Sequence, residues 1–199
     1  MSADIIRYLT HPQVQIDADI PVPQWGLSPV GRARTEALAN ASWLARTTQI
    51  ISSAERKAIE TAEIIAGRLG IMIEIRKAMH ENDRSATGFL KPDEFEEVAD
   101  QFFAQPQLSV RGWERAVDAQ ARIVREAQAV LGRNRPGDVM FVGHGAVGTL
   151  LLCRIAGHPI ARVHDQPAGG GNCFAFVRDG SRVLHGWRRM EDLDQPPPR

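Results

Sequence analysis

Two of the six histidines in this chain stand where a binding or reacting group would be placed. His11 closes the apolar run "IIRYLT" and is followed at once by Pro12, and His144 closes "DVMFVG" before the chain turns through Gly145. A helix beginning there offers free backbone N–H groups and a partial positive charge, which favour an anion beside His144. The stretch "SSAERKAIETA" points the same way. It puts Arg56 and Lys57 in the first turn of a helix, where positive charge opposes the helix dipole by roughly a few tenths of a kcal/mol. Helix energetics alone do not select that pair; binding an anion accounts for it, and a solvated surface pair has the same charge pattern. A metal held by His11 and His144 with Glu81 or Asp83 is disfavoured, because no HxxxH or HxH spacing accompanies them. Taken singly, a strand-end histidine is ordinarily a half-buried residue bonded to backbone, and Glu81 in "HENDRS" is ordinarily a solvated loop acid.

Side chains at these positions need a sheet that ends where they begin. Short runs rich in β-branched and aromatic residues, 5–9, 49–51, 71–75, 138–143 and 173–177, read as strands. "RVLHGW" at 182–187 follows the turn signal "RDGS", so the last two strands form an antiparallel hairpin. Between the strands lie helical patterns. Ser28 and Pro29 make an N-cap and first-turn pair, and Ser52 with Glu55 has capping-box form ahead of an apolar face that ends at Gly70. A third stripe runs from Trp113 to Leu131, and "GAVGTLLLCRIAG" is a short buried helix stopped by Gly157. The alternation predicts an α/β fold, a three-layer sandwich with a mostly parallel central sheet, helices on both faces and a C-terminal antiparallel hairpin. Ligands of such sheets bind at the carboxyl ends of the strands, where His11 and His144 lie.

Composition limits the remaining choices. The 199 residues, 43% of them hydrophobic, are enough for one large core, and a single domain over 1–193 is expected, with "DQPPPR" at 194–199 a mobile tail. Lysine plus arginine equals aspartate plus glutamate at 24 each, so no overall field draws the protein to nucleic acid or to an anionic membrane. No basic segment, long apolar run and small-residue cleavage site open the chain, which gives a cytoplasmic expectation. Cys153 and Cys173 form no CxxC pair and read as core residues. Oligomeric state is not legible.

Five segments in order, "YLTHPQV", "LSPVGRARTEALA", "SSAERKAIETA", "MHEND" and "FVGHGAVGTLLL", together resemble the histidine phosphatase superfamily, also called phosphoglycerate mutase-like proteins. The resemblance covers most of the chain. It implies that His11 attacks a phosphoryl group to give a phosphohistidine that water hydrolyses, that Glu81 is the general acid and then base, and that His144 stabilises the transferring group. It implies no metal or other cofactor and a small phosphorylated substrate. Two departures bear on phosphate binding. Thr10-His11-Pro12 replaces the family's Arg-His-Gly, and Lys57 aligns with its second arginine, with Arg56 one position earlier. Arginine grips two phosphate oxygens at once, whereas lysine is a point charge and threonine a neutral hydroxyl. Candidates to make up the loss are Arg56, Arg84 and the Thr10 hydroxyl, with Gly145 at the helix start. The implied activity is hydrolysis of a small phosphomonoester. The alternatives are a weak or inactive relative that binds a phosphorylated ligand or a protein partner, and, further off, phosphoglycerate mutase chemistry. Residues 82–110 carry only two basic residues, Arg84 and Lys91, and read as a partly apolar, partly acidic lid suited to one phosphate on an uncharged body.

Overall fold

The computed structural model describes residues 4–133 and 135–194; the expected tail therefore lies, save for Asp194, outside the described residues. Six strands form one sheet in the order β3-β2-β4-β1-β5-β6. They are β1 (Ile5–Thr10), β2 (Thr47–Ser53), β3 (Ile73–Arg76), β4 (Asp138–Gly143), β5 (Asn172–Val177) and β6 (Val183–Arg189). The first four are parallel to one another, while β5 runs antiparallel to both β1 and β6. The first four therefore end along one edge of the sheet.

Alternation along the strands separates two cores. Ile6, Tyr8, Val139, Phe141, Phe174 and Phe176 face α3 (Pro92–Ala104), α4 (Ala116–Leu131) and α5 (Gly145–Ala156). Leu9, Ile50, Met140, Val142 and Cys173 face α1 (Pro29–Leu38) and α2 (Arg56–Leu69). The helices thus cover both faces of the sheet. Ser28 caps α1 by accepting from the Gly31 N–H at 3.1 Å, and Gly157 ends α5 in the left-handed region at φ 71°.

Two sequence expectations need correction. Residues 92–104 are not part of a lid: they form α3, whose Val98, Phe102 and Phe103 are buried in the core. Nor do Ser52 and Glu55 form a capping box. Glu55 is itself the N-cap residue of α2, with no side-chain capping bond. The Ser52 hydroxyl donates to the Ser53 carbonyl, and the Glu55 carboxylate is drawn to stronger partners in the site.

Candidate active site

Register places the two histidines. Thr10 pairs with Gly143, so His11 and His144 leave adjacent parallel strands at the same level. The His11 N–H donates to the Gly143 carbonyl at 3.0 Å, and the rings meet edge to face with centroids 5.3 Å apart. Tyr8 fixes this junction from below. Its hydroxyl accepts from the His144 N–H at 3.1 Å and donates to the His144 carbonyl at 3.2 Å. Glycine is required at 143, where a Cβ would lie 2.3 Å from that hydroxyl.

The His11 ring has its Nδ1 2.8 Å from the Pro12 carbonyl oxygen. A carbonyl only accepts, so Nδ1 carries the proton and Nε2 keeps a lone pair. The residue is partly open to solvent. Burial, with the positive charge of Lys57, brings its pKa down to about 4, against the opposing pull of the Pro12 hydrogen bond and the Glu55 charge. Near neutral pH His11 is therefore an uncharged imidazole with one fixed tautomer and one available nitrogen.

His144 is fully buried, and burial outweighs the nearby Glu55 to hold its pKa well below the ordinary value. Its Nε2 lies 2.8 Å from the Ser53 hydroxyl and 3.4 Å from Glu55 Oε1, while Nδ1 has no hydrogen-bond partner among the described residues. Glu81 reaches the start of α5, where its two oxygens accept the N–H groups of Ala146 and Val147 at 3.2 and 3.0 Å. A carboxyl group so placed satisfies donors that the helix cannot. Arg122 steadies the loop behind it, donating to the carbonyls of Ala78, His80 and Glu81 and pairing with Glu114 at 2.7 Å.

Lys57 is buried, and its Nζ donates to Glu55 Oε2 at 2.5 Å and to the Val22 carbonyl at 3.0 Å. Glu55 Oε1 in turn accepts the Glu81 N–H at 2.8 Å. Burial alone would raise the Glu55 carboxyl; His144, Lys57 and the Glu81 N–H outweigh it and hold the group as a carboxylate far below the usual range. The local positive charge of Lys57 is thus already matched.

The structure brings His11, His144, Glu81 and Lys57 together, and it puts Gly145 at the first position of α5 against the Gln166 side chain. Arg84 stands at the rim, its guanidinium 5.0 Å from the Phe95 ring centroid and 5.5 Å from that of Trp113. Arg56 is not brought in: its side chain is 63% exposed and pairs with Glu60 at 2.7 Å. The Thr10 hydroxyl points away into a buried network, donating to Gln166 and accepting the Asn172 N–H at 2.9 Å. Sequence reading missed Glu55, Ser53, Arg122 and Asn82. Only Glu55 left a signal, an acid two residues before a lysine at a helix start. The Asn82 Nδ2 is buried with no partner among the described residues.

A cavity of about 710 Å³ opens in front of this group. Ile20, Pro21, Val22, Pro23, Gly88 and Phe89 form an apolar side, and Glu55, His80, Glu81, Asn82, Asp83 and Arg84 a polar one; neither His11 nor His144 reaches its lining. Another concavity of about 680 Å³, between α4, α5 and the β5–β6 turn, contains no histidine.

A sequence profile of the histidine phosphatase superfamily (branch 1) matches residues 10–184. No curated protein matches the chain. Solved structures share the fold at low identity. A mycobacterial glucosyl-3-phosphoglycerate phosphatase in complex with inorganic phosphate is 20% identical with a TM-score of 0.77, covering 95% of this chain and 99% of its own. YhfR of Bacillus stearothermophilus is 22% identical at 0.77, covering 92% and 95%. A mutant phosphoserine phosphatase of Entamoeba histolytica in complex with phosphoserine is 14% identical at 0.77, covering 96% and 99%.

Proposed function

This chain belongs to branch 1 of the histidine phosphatase superfamily, and on that premise we propose that it hydrolyses a small phosphomonoester through a phosphohistidine formed at His11. The observation that carries the reading is the state of that ring. Its Nδ1 proton is committed to the Pro12 carbonyl, its pKa is about 4, and Nε2 is left as the nucleophile. The Nε2 lone pair attacks phosphorus as the ester P–O bond breaks, and Glu81 gives a proton to the leaving oxygen. Water then attacks phosphorus with Glu81 taking its proton, the P–N bond breaks, and His11 returns to its neutral form. His144, Lys57 and Arg84 stabilise the oxyanion charge, with the N-terminus of α5 at Gly145 adding its partial positive charge. No step calls for a metal.

Phosphatases of this fold with monophosphate ligands, phosphoserine among them, favour hydrolysis over mutase chemistry. The apolar part of the cavity lining, Ile20 to Pro23 and Phe89, supports one phosphate on an uncharged body. A panel of phosphomonoesters assayed with chelator present tests the proposal. Turnover by the wild type that disappears in His11→Ala supports it; turnover that survives His11→Ala sinks it.

One observation favours a second reading, a weak or inactive relative that binds a phosphorylated ligand or a partner. Thr10 points away from the site and Lys57 is paired with Glu55, so the charge available to a phosphate is small. A folded wild type that binds phosphomonoesters without turning them over selects it.

A further inference from the structure

Glu55 is the least expected group in the site. It is 8% exposed, lies between the cavity and the histidine pair, and contributes to the cavity lining where His11 and His144 do not. Its partners are the groups that the proposed reaction assigns to phosphate: Lys57 Nζ at 2.5 Å and His144 Nε2 at 3.4 Å. Its remaining contact is the Glu81 N–H at 2.8 Å. The Glu55 carboxylate takes the Lys57 donor that a phosphoryl oxygen would meet and lies beside His144 Nε2, whose own hydrogen bond is to the Ser53 hydroxyl. We propose that Glu55 is an internal anion that stands in for phosphate in the resting pocket, holding Lys57 and His144 until a phosphoryl group displaces it. The inference rests on phosphate binding beside His11 as argued above.

The chain has the means for such a displacement. Glu55 is the N-cap residue of α2 and makes no capping bond with its side chain, so turning it away leaves the helix start as it is. The cavity it borders has room for the side chain. Lys57 would not follow, because the Val22 carbonyl still holds it at 3.0 Å, and a buried ammonium deprived of its carboxylate requires another anion. Phosphate binding therefore exchanges one anion for another. Selectivity follows: a ligand gains only the difference between its own contacts and those of Glu55, so weak anions are refused.

The test is binding of inorganic phosphate, followed by calorimetry, to the wild type, Glu55→Gln and Glu55→Asp. The glutamine keeps the shape and removes the charge; the aspartate keeps the charge and shortens its reach by one methylene. At least tenfold tighter phosphate binding by Glu55→Gln is expected, with Glu55→Asp between it and the wild type. Equal or weaker binding by both folded variants overturns the proposal and leaves Glu55 a structural partner of Lys57. If the glutamine variant fails to fold, the aspartate variant decides alone, and no gain there is also a refutation. Phosphomonoester hydrolysis by the same proteins separates the two readings. Wild-type turnover with no gain in phosphate affinity refutes the internal anion and spares the phosphatase. A gain in affinity without turnover in any protein does the reverse.

Discussion

Tyr8 carries both polar bonds that join the end of β1 to the start of α5. In Tyr8→Phe the buried His144 N–H and carbonyl each lose a partner, at a cost of about 1 to 3 kcal/mol for the stranded donor. Urea denaturation should register that loss, and activity should fall with it as the His144 ring loosens. Lys57 is a different case. Lys57→Met leaves Glu55 as a buried carboxylate with His144 as its one remaining ionisable partner among the described residues, and breaking a buried pair from one side costs on the order of 3 to 5 kcal/mol. The variant should be visibly less stable than Arg56→Met, since Arg56 is exposed and its pair with Glu60 is worth about 1 kcal/mol or less. Equal losses for the two would contradict the burial of the Lys57–Glu55 pair.

Among the elements, the parallel pairing of β1 with β4 does most to build the site, because it delivers two histidines to one edge without any direct bond between them. Gly143→Ala should disrupt it. The added Cβ lands 2.3 Å from the Tyr8 hydroxyl and 2.9 Å from its ring carbon, so the rigid ring must shift, and thermal denaturation should show a lower midpoint with activity lost. Gly145→Ala should be milder, since its near neighbour is the end of the Gln166 side chain, which can turn aside. These strands were legible in the sequence because buried parallel strands are continuous apolar runs, and so was the hairpin of β5 and β6 from "RDGS". Helix α3 also carried a signal, Pro92 with Asp93 and Glu94 in its first turn, but its neighbourhood to the Glu81 loop drew the reading toward a lid. The signal at Glu55, an acid two residues before Lys57, was open to another reading. Its spacing from Ser52 fits a capping box, and only the folded chain shows that Lys57, His144 and the Glu81 N–H compete for it more strongly than a helix end does. Arg122, far along the sequence from the loop it steadies, left no local pattern at all.

At the scale of the whole molecule, the buried histidines make stability depend on pH. His11 has a pKa of about 4 when folded and about 6.5 in the unfolded chain. Below pH 6.5 the unfolded imidazole takes a proton that the folded one refuses, so stability falls as pH drops from about 6.5 to about 4 and is flat with respect to this group above that window. The contribution is on the order of 3 kcal/mol, and His144, lowered as well, acts in the same direction. Glu55 acts in a lower window: its folded pKa is depressed, so the stability it adds is present above the ordinary carboxylate range and lost as pH falls below it. His11→Gln should therefore flatten the denaturation profile between pH 6.5 and 4 by up to about 1.4 kcal/mol per pH unit and leave the loss below pH 4 in place. An unchanged slope between 6.5 and 4 would mean that the ring is not desolvated as described.

The same neutral ring is the centre of the functional account, and its product can be caught directly. The protein would be mixed with a turned-over phosphomonoester, quenched within one turnover in alkali, which preserves phosphohistidine, and digested for mass spectrometry. The account predicts a phosphoryl group on the peptide that contains His11, absent from His11→Ala and retained to higher occupancy when Glu81→Gln slows its hydrolysis. A phosphoryl group found elsewhere, or hydrolysis by the wild type with His11 unlabelled at every quench time, would contradict it.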